Sequence, residues 1–183
     1  MVEIEPLTAR RIAVLADCHV HPGGGPDWTP QVLAALDGVE AILTLGDMGE
    51  GLERLGRIAP VLGVAGMDDA PDPRAAPTLR AFEIGGKVVG LLFDPVAAGL
   101  AATSAPFATY ESWRERIQTL FGRQLDVLLH ASTHKASMSL IDGVLVVDPG
   151  SALLPAGQES GAPGAYAEIW ITDNGLSAFI VEI

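Results

Sequence analysis

The chain has 183 residues, 49% hydrophobic and 19% charged, a balance that suits one folded domain and excludes a disordered chain. Its 11 basic and 23 acidic residues give a formal net charge of -12, so long-range repulsion makes nucleic acid an unexpected partner. The single cysteine, Cys18, rules out an internal disulfide framework and a multi-cysteine zinc site.

The start, MVEIEPLTARR, lacks an apolar core of signal-peptide length, and no apolar run approaches the roughly 20 residues that span a bilayer. A cytoplasmic protein without membrane association is expected. Arg11–Ala16 is a short apolar run followed by turn residues, the pattern of a strand buried on both faces. Thr29 is placed to cap a helix over Pro30–Leu36, with proline at the first helical position. Ala41–Leu45 reads as a second buried strand, ending in Gly46-Asp47. Residues 49–58 carry Leu52, Leu55 and Ile58 at helical spacing, and Val61–Ala65 is a third strand, ending in Gly66. This alternation predicts parallel strands with helices as crossovers.

The second half changes to hairpins. Phe82–Ile84 and Lys87–Leu92 flank Gly85-Gly86, Ser137–Ile141 and Val144–Val147 flank Asp142-Gly143, and Ala167–Ile171 and Ser177–Val181 close around Asn174-Gly175. Between them, Ala97–Tyr110 reads as an alanine-rich loop. Glu111–Phe121 reads as a helix with Trp113, Ile117, Leu120 and Phe121 on one face, Asp126–Leu129 as a strand, and Pro155–Gly164 as a polar loop. An α/β domain over residues 1–183 is expected, with two packed sheets and helices outside them.

The polar residues that matter fall at strand ends. The first strand stops at Asp17-Cys18-His19, the second at Gly46-Asp47, the third at Gly66-Met67-Asp68-Asp69, and a later one at His130-Ala131-Ser132-Thr133-His134. Ligands of open α/β sheets bind outside the carboxyl ends of strands, where such loops converge. Mixed imidazole and carboxylate donors suit Mn, Fe or Zn better than Ca or Mg.

These motifs, with Asp148-Pro149-Gly150-Ser151 closing the series, resemble the calcineurin-like metallophosphoesterase superfamily. The resemblance is nearest the small bacterial phosphodiesterase group, related in fold to the retromer scaffold subunit, and runs from about Arg11 to Ser151. It implies a four-layer αββα sandwich of two mixed β-sheets flanked by helices. It also implies that Asp17, His19, Asp47 and His134 hold one divalent metal. The usual second-metal donors fall at Asp47, Met67, about Phe93 and Ser132, of which the last three are poor or absent donors. One ion per chain, rather than two, is therefore expected.

The implied activity is hydrolysis of a small phosphomonoester or phosphodiester by a metal-bound hydroxide, with Asp17, Asp47 and Asp68 as catalytic residues. The alternative is a catalytically degenerate phosphoesterase fold used as a binding or scaffold module. His21, Asp94 and His130 are candidates for extra ligands, although each is read first as a loop or strand-end residue. Asp17-x-His19-x-His21 also resembles the first-strand motif of amidohydrolase and histidinol-phosphatase barrels, but a (β/α)₈ barrel usually needs about 250 residues. Homo-oligomerisation is left open.

Overall fold

A computed structural model describes residues 1–21, 23, 25–100 and 112–183. Its strands are β1 (Ile4–Pro6), β2 (Arg11–Leu15), β3 (Ala41–Thr44), β4 (Val61–Gly63), β5 (Leu79–Ile84), β6 (Lys87–Leu92), β7 (Val127–Leu129), β8 (Ser137–Ile141), β9 (Val144–Asp148), β10 (Ala165–Thr172) and β11 (Gly175–Glu182). Helices α1 (Pro30–Ala35), α2 (Leu52–Leu55) and α3 (Trp113–Phe121) complete the layers, with a 3-10 turn at Gln158–Ser160.

Apolar runs without polar alternation can only be buried on both faces, and β2 and β3 sit inside a five-stranded sheet of order β11-β10-β2-β3-β4. There β2, β3 and β4 are parallel, as the crossover pattern predicts, while β10 runs antiparallel to β2 and β11. The second sheet has six strands in the order β1-β5-β6-β7-β9-β8. Its β6, β7 and β9 are parallel, and the hairpins β5–β6 and β8–β9 are antiparallel. Asp142 and Gly143, at φ 49° and 80°, form the β8–β9 turn with the two positive φ values a tight hairpin requires.

Three apolar clusters define the four layers. Ile12, Val14, Leu43, Phe82, Val89, Leu91, Leu129, Val147 and Ile169 fill the space between the sheets. Val32, Leu36, Leu52 and Leu55 pack from α1 and α2 onto Ala13, Leu15 and Ile42. Ile117 and Phe121 of α3 cover Ala81, Leu128 and Val146 on the outer face of the other sheet. The result is the expected αββα sandwich.

Helix starts follow their caps. Thr29 Oγ1 accepts from Val32 N, and Ser112 and Glu115 form a reciprocal capping box at α3. The helix expected over residues 49–58 is confined to Leu52–Leu55. Gly49 adopts φ 63°, outside helical space, and a side chain there would meet the Val20 carbonyl at 2.3 Å. Residues 101–110 of the expected loop and Glu111 of the expected third helix lie outside the described residues. Among the described residues, no helix is long and apolar enough to cross a membrane.

Candidate metal centre

The parallel strands of both sheets end at one place, and their loops interlock through backbone hydrogen bonds. Beyond β2, Asp17 N donates to Gly46 O at 3.1 Å and His19 N to Asp47 O at 2.8 Å, so the β2 and β3 loops travel together. The second sheet contributes the loop after β7. Ser132 N and His134 N donate to the two carboxylate oxygens of Asp17, at 3.3 and 3.2 Å. After β9, the Ser151 hydroxyl donates to the Asp17 carbonyl at 2.7 Å. Asp17 is thus completely buried at the junction of the two sheets.

Backbone strain concentrates here. Asp17, His19, Asp47, Ser132 and His134 all take the left-handed conformation, with φ between 45° and 74°. Each such residue costs on the order of 1 kcal/mol or more, and such costs gather where side chains must be aimed at one point.

The aiming produces two overlapping groups. Donor atoms of Asp17, His19 and His134 lie within 4.8 Å of one another, as do those of His19, Asp47 and Asp68. His19 belongs to both, and its ring stacks on that of His134 with centroids 5.3 Å apart and 6° between planes. Its Nε2 lies 4.0 Å from Asp47 Oδ2, and its Nδ1 lies 3.8 Å from Asp68 Oδ2. Asp47 is nearly buried, whereas Asp68 stands at the rim with 70% of its side chain exposed.

The His134 tautomer follows from its partner. Nδ1 lies 2.7 Å from the Leu154 carbonyl, which can only accept, so Nδ1 carries the proton and Nε2 keeps its lone pair. Burial raises the Asp17 pKa to about 6, against the opposing pull of His134. Among the described residues, no lysine or arginine forms an ion pair with Asp17 or Asp47. Asp17, buried without a cationic side chain, together with His19 and a His134 held in the tautomer that leaves one nitrogen free to donate, is a donor set that fits a divalent ion, and Asp47 lies with His19 and Asp68 in the adjoining group.

Asp69 is a residue whose part sequence reasoning missed. Its carboxylate accepts four backbone N–H groups, from Asp47 and Gly66 on Oδ2 and from Met48 and Gly49 on Oδ1, at 2.8–3.1 Å. It ties the turn after β3 to the turn after β4. The available signal was an acid three residues beyond a strand-ending glycine. Gly66 itself has no room for a side chain, since a Cβ would sit 2.1 Å from Asp47 Oδ1.

The other candidates lie elsewhere. His130 Nδ1 is 3.4 Å from Asp148 Oδ2, which also accepts from Thr133 Oγ1 at 2.7 Å. Asp148 is buried, and burial raises its pKa. Asp94 Oδ1 accepts from Val96 N and Ala97 N, the geometry of a turn. His21 lies beside Trp28, Glu50 and Arg54. None of the three belongs to either donor group found among the described residues. Cys18 is fully buried, donates to Ala16 O, and burial pushes its thiol pKa up, so it packs as a small apolar group.

The model of the calcineurin-like phosphoesterase superfamily domain matches residues 11–169. The chain belongs to this superfamily. Its fold is similar to Vacuolar Protein Sorting 29 from Cryptosporidium parvum, with TM-score 0.67, 20% identity, and coverage of 96% of this chain and 98% of that one. It is also similar to wild-type Vps29 complexed with Zn2+ from Entamoeba histolytica (TM-score 0.63, 18% identity, 94% and 98% covered). A predicted phosphoesterase from Streptococcus pneumoniae TIGR4 is similar too, at TM-score 0.60 and 17% identity, covering 96% of this chain and 91% of that one. At these identities the likeness shows the phosphoesterase fold alone. No curated protein matches the chain.

Proposed function

We propose that the protein is a metal-dependent phosphoesterase that hydrolyses a small phosphate ester at one intact metal site. The observation that carries this reading is the convergence of Asp17, His19 and His134 within 4.8 Å, with the His134 Nδ1 proton held by Leu154. Superfamily membership supports it. Asp17, His19, Asp47 and His134 would hold a single Mn, Fe or Zn ion. Such an ion lowers the pKa of water and polarises a phosphoryl oxygen.

The chain's own groups have separate tasks. Asp17 and Asp47 are buried carboxylates that would hold the cation, and their oxygens accept backbone N–H groups that order the strand-end loops. Asp68 N donates to Asp47 Oδ1 at 2.9 Å, which fixes the rim loop, and its exposed Oδ2 can pass a proton between the site and solvent. Asp69 holds the two turns in register.

A second reading rests on Met67, Phe93 and Ser132, which stand where the superfamily resemblance places second-ion donors. With those donors absent, the domain serves as a binding or scaffold module. Turnover separates the two readings. Addition of Mn2+ should produce slow hydrolysis of a generic phosphate ester that Asp17→Asn abolishes. A protein that binds the ion and shows no turnover above the Asp17→Asn background supports the scaffold reading instead.

A further inference from the structure

Beside the donor groups lies a cavity of about 370 Å3, within the size range of small-molecule sites. Its walls include Met67, Leu79, Leu92, Phe93 and Leu120. Asp94 also borders it, but its Oδ1 is turned to the N–H groups of Val96 and Ala97. Two of these residues, Met67 and Phe93, occupy the positions of absent second-ion donors. On this side of the centre the lining is apolar where the resemblance places polar donors.

The cavity and the centre share a wall. Met67 follows Gly66, whose α-carbon packs against Asp47 so closely that a Cβ would lie 2.1 Å from Oδ1. Phe93 sits against Gly46, where a Cβ would lie 2.7 Å from the ring. The cavity lining and Asp47 meet at Gly66, so a ligand whose phosphoryl group reaches Asp47 has the cavity within reach of its organic portion. Met67 is 82% exposed there, an apolar side chain that a ligand would remove from water.

We propose that this cavity seats an aromatic ring and that the substrates are aryl phosphates. The proposal rests on the phosphoesterase reading and narrows its substrate class. A second feature agrees with it: the Gly66-Met67-Asp68-Asp69 turn carries no histidine to protonate a leaving group. A phenol, with a pKa of about 10, leaves without that help far more readily than an alkyl alcohol. In the reaction the oxygen of water bonds to phosphorus while the bond from phosphorus to the aryl oxygen breaks. The aryl oxygen keeps the electron pair as phenolate, and the proton lost by water passes to solvent by way of Asp68.

Binding of non-hydrolysable phosphonates to the zinc-loaded protein tests this without turnover. Titration calorimetry should show phenylphosphonate binding at least about tenfold more tightly than methylphosphonate. The Met67 methyl resonance should shift with phenylphosphonate and not with methylphosphonate. Met67→Ser, at an exposed position, and Ala98→Phe, which fills the cavity, should each cut the preference threefold or more. Met67→Ser carries the test if Ala98→Phe fails to fold. Methylphosphonate binding with a preference under twofold would overturn the aryl proposal and leave the phosphoesterase reading standing. A preference unchanged by Met67→Ser would place the ring elsewhere and overturn it too. Binding of neither phosphonate would sink both.

Discussion

His134 donates its Nδ1 proton to the carbonyl of Leu154 across 2.7 Å. Leu154 lies in the loop after β9, so a backbone group twenty residues away settles which nitrogen of His134 carries the proton. The imidazole is therefore a poised donor and not a solvated loop residue. His134→Ala should lower zinc affinity at least about tenfold, read by competition with a chromophoric chelator, while changing the unfolding midpoint of the metal-free protein little.

Asp69 holds four backbone N–H groups and has no direct place in either donor group. Asp69→Asn would turn an NH2 group toward two of those donors. Hydrogen bonds to charged groups contribute about 1.5–3 kcal/mol each, so a loss of about 2–4 kcal/mol is expected in urea unfolding. Metal affinity should fall with it, because Asp47 depends on the same turn.

The Asp17 carboxyl gives the metal-free protein a pH signature. Its ordinary pKa of 3.8 rises to about 6 in the fold, so between these values the folded state holds more proton than the unfolded one. Stability of the metal-free protein should then fall as pH rises from about 4 to about 6, by about 3 kcal/mol from this group. Asp17→Asn should flatten that slope in denaturant titrations. A bound cation favours the carboxylate, so the rise in Tm on adding Mn2+ should be larger at pH 7.5 than at pH 5.

The candidate donors were legible in the chain itself because its strands are short, wholly apolar and end on a few polar residues, and the structure brings Asp17, His19 and His134 together while setting Asp47 with His19 and Asp68. Asp17, His19, Asp47 and His134 stand out since each follows a buried strand or its loop at a position where no packing role requires charge. Edge and loop features were less visible. β1 was missed because Ile4–Pro6 is three residues with a proline, paired on one side only and secured by the bidentate Arg80–Glu5 pair. The buried Glu168 gave no sign of collecting Arg11, Tyr166 and Trp170 around its two oxygens, because those partners come from two strands and alternate along β10. Nor could spacing reveal that a main-chain carbonyl at Leu154 would orient His134.

The donors that the superfamily resemblance places at Met67, Phe93 and Ser132 can be introduced. Met67→Asn, Phe93→His and Ser132→His together should raise the bound metal from about one ion per chain to about two. Retention of about one would show that the cavity at Met67 and Phe93 has been remodelled beyond simple loss of donors.

If Asp17, His19, Asp47 and His134 hold one divalent ion, metal stoichiometry reads it directly. Elemental analysis of protein purified without a histidine tag should find about one Mn, Fe or Zn per chain, lost in Asp17→Asn and His134→Ala. No bound metal, or about two ions per chain in the unmodified protein, would contradict it.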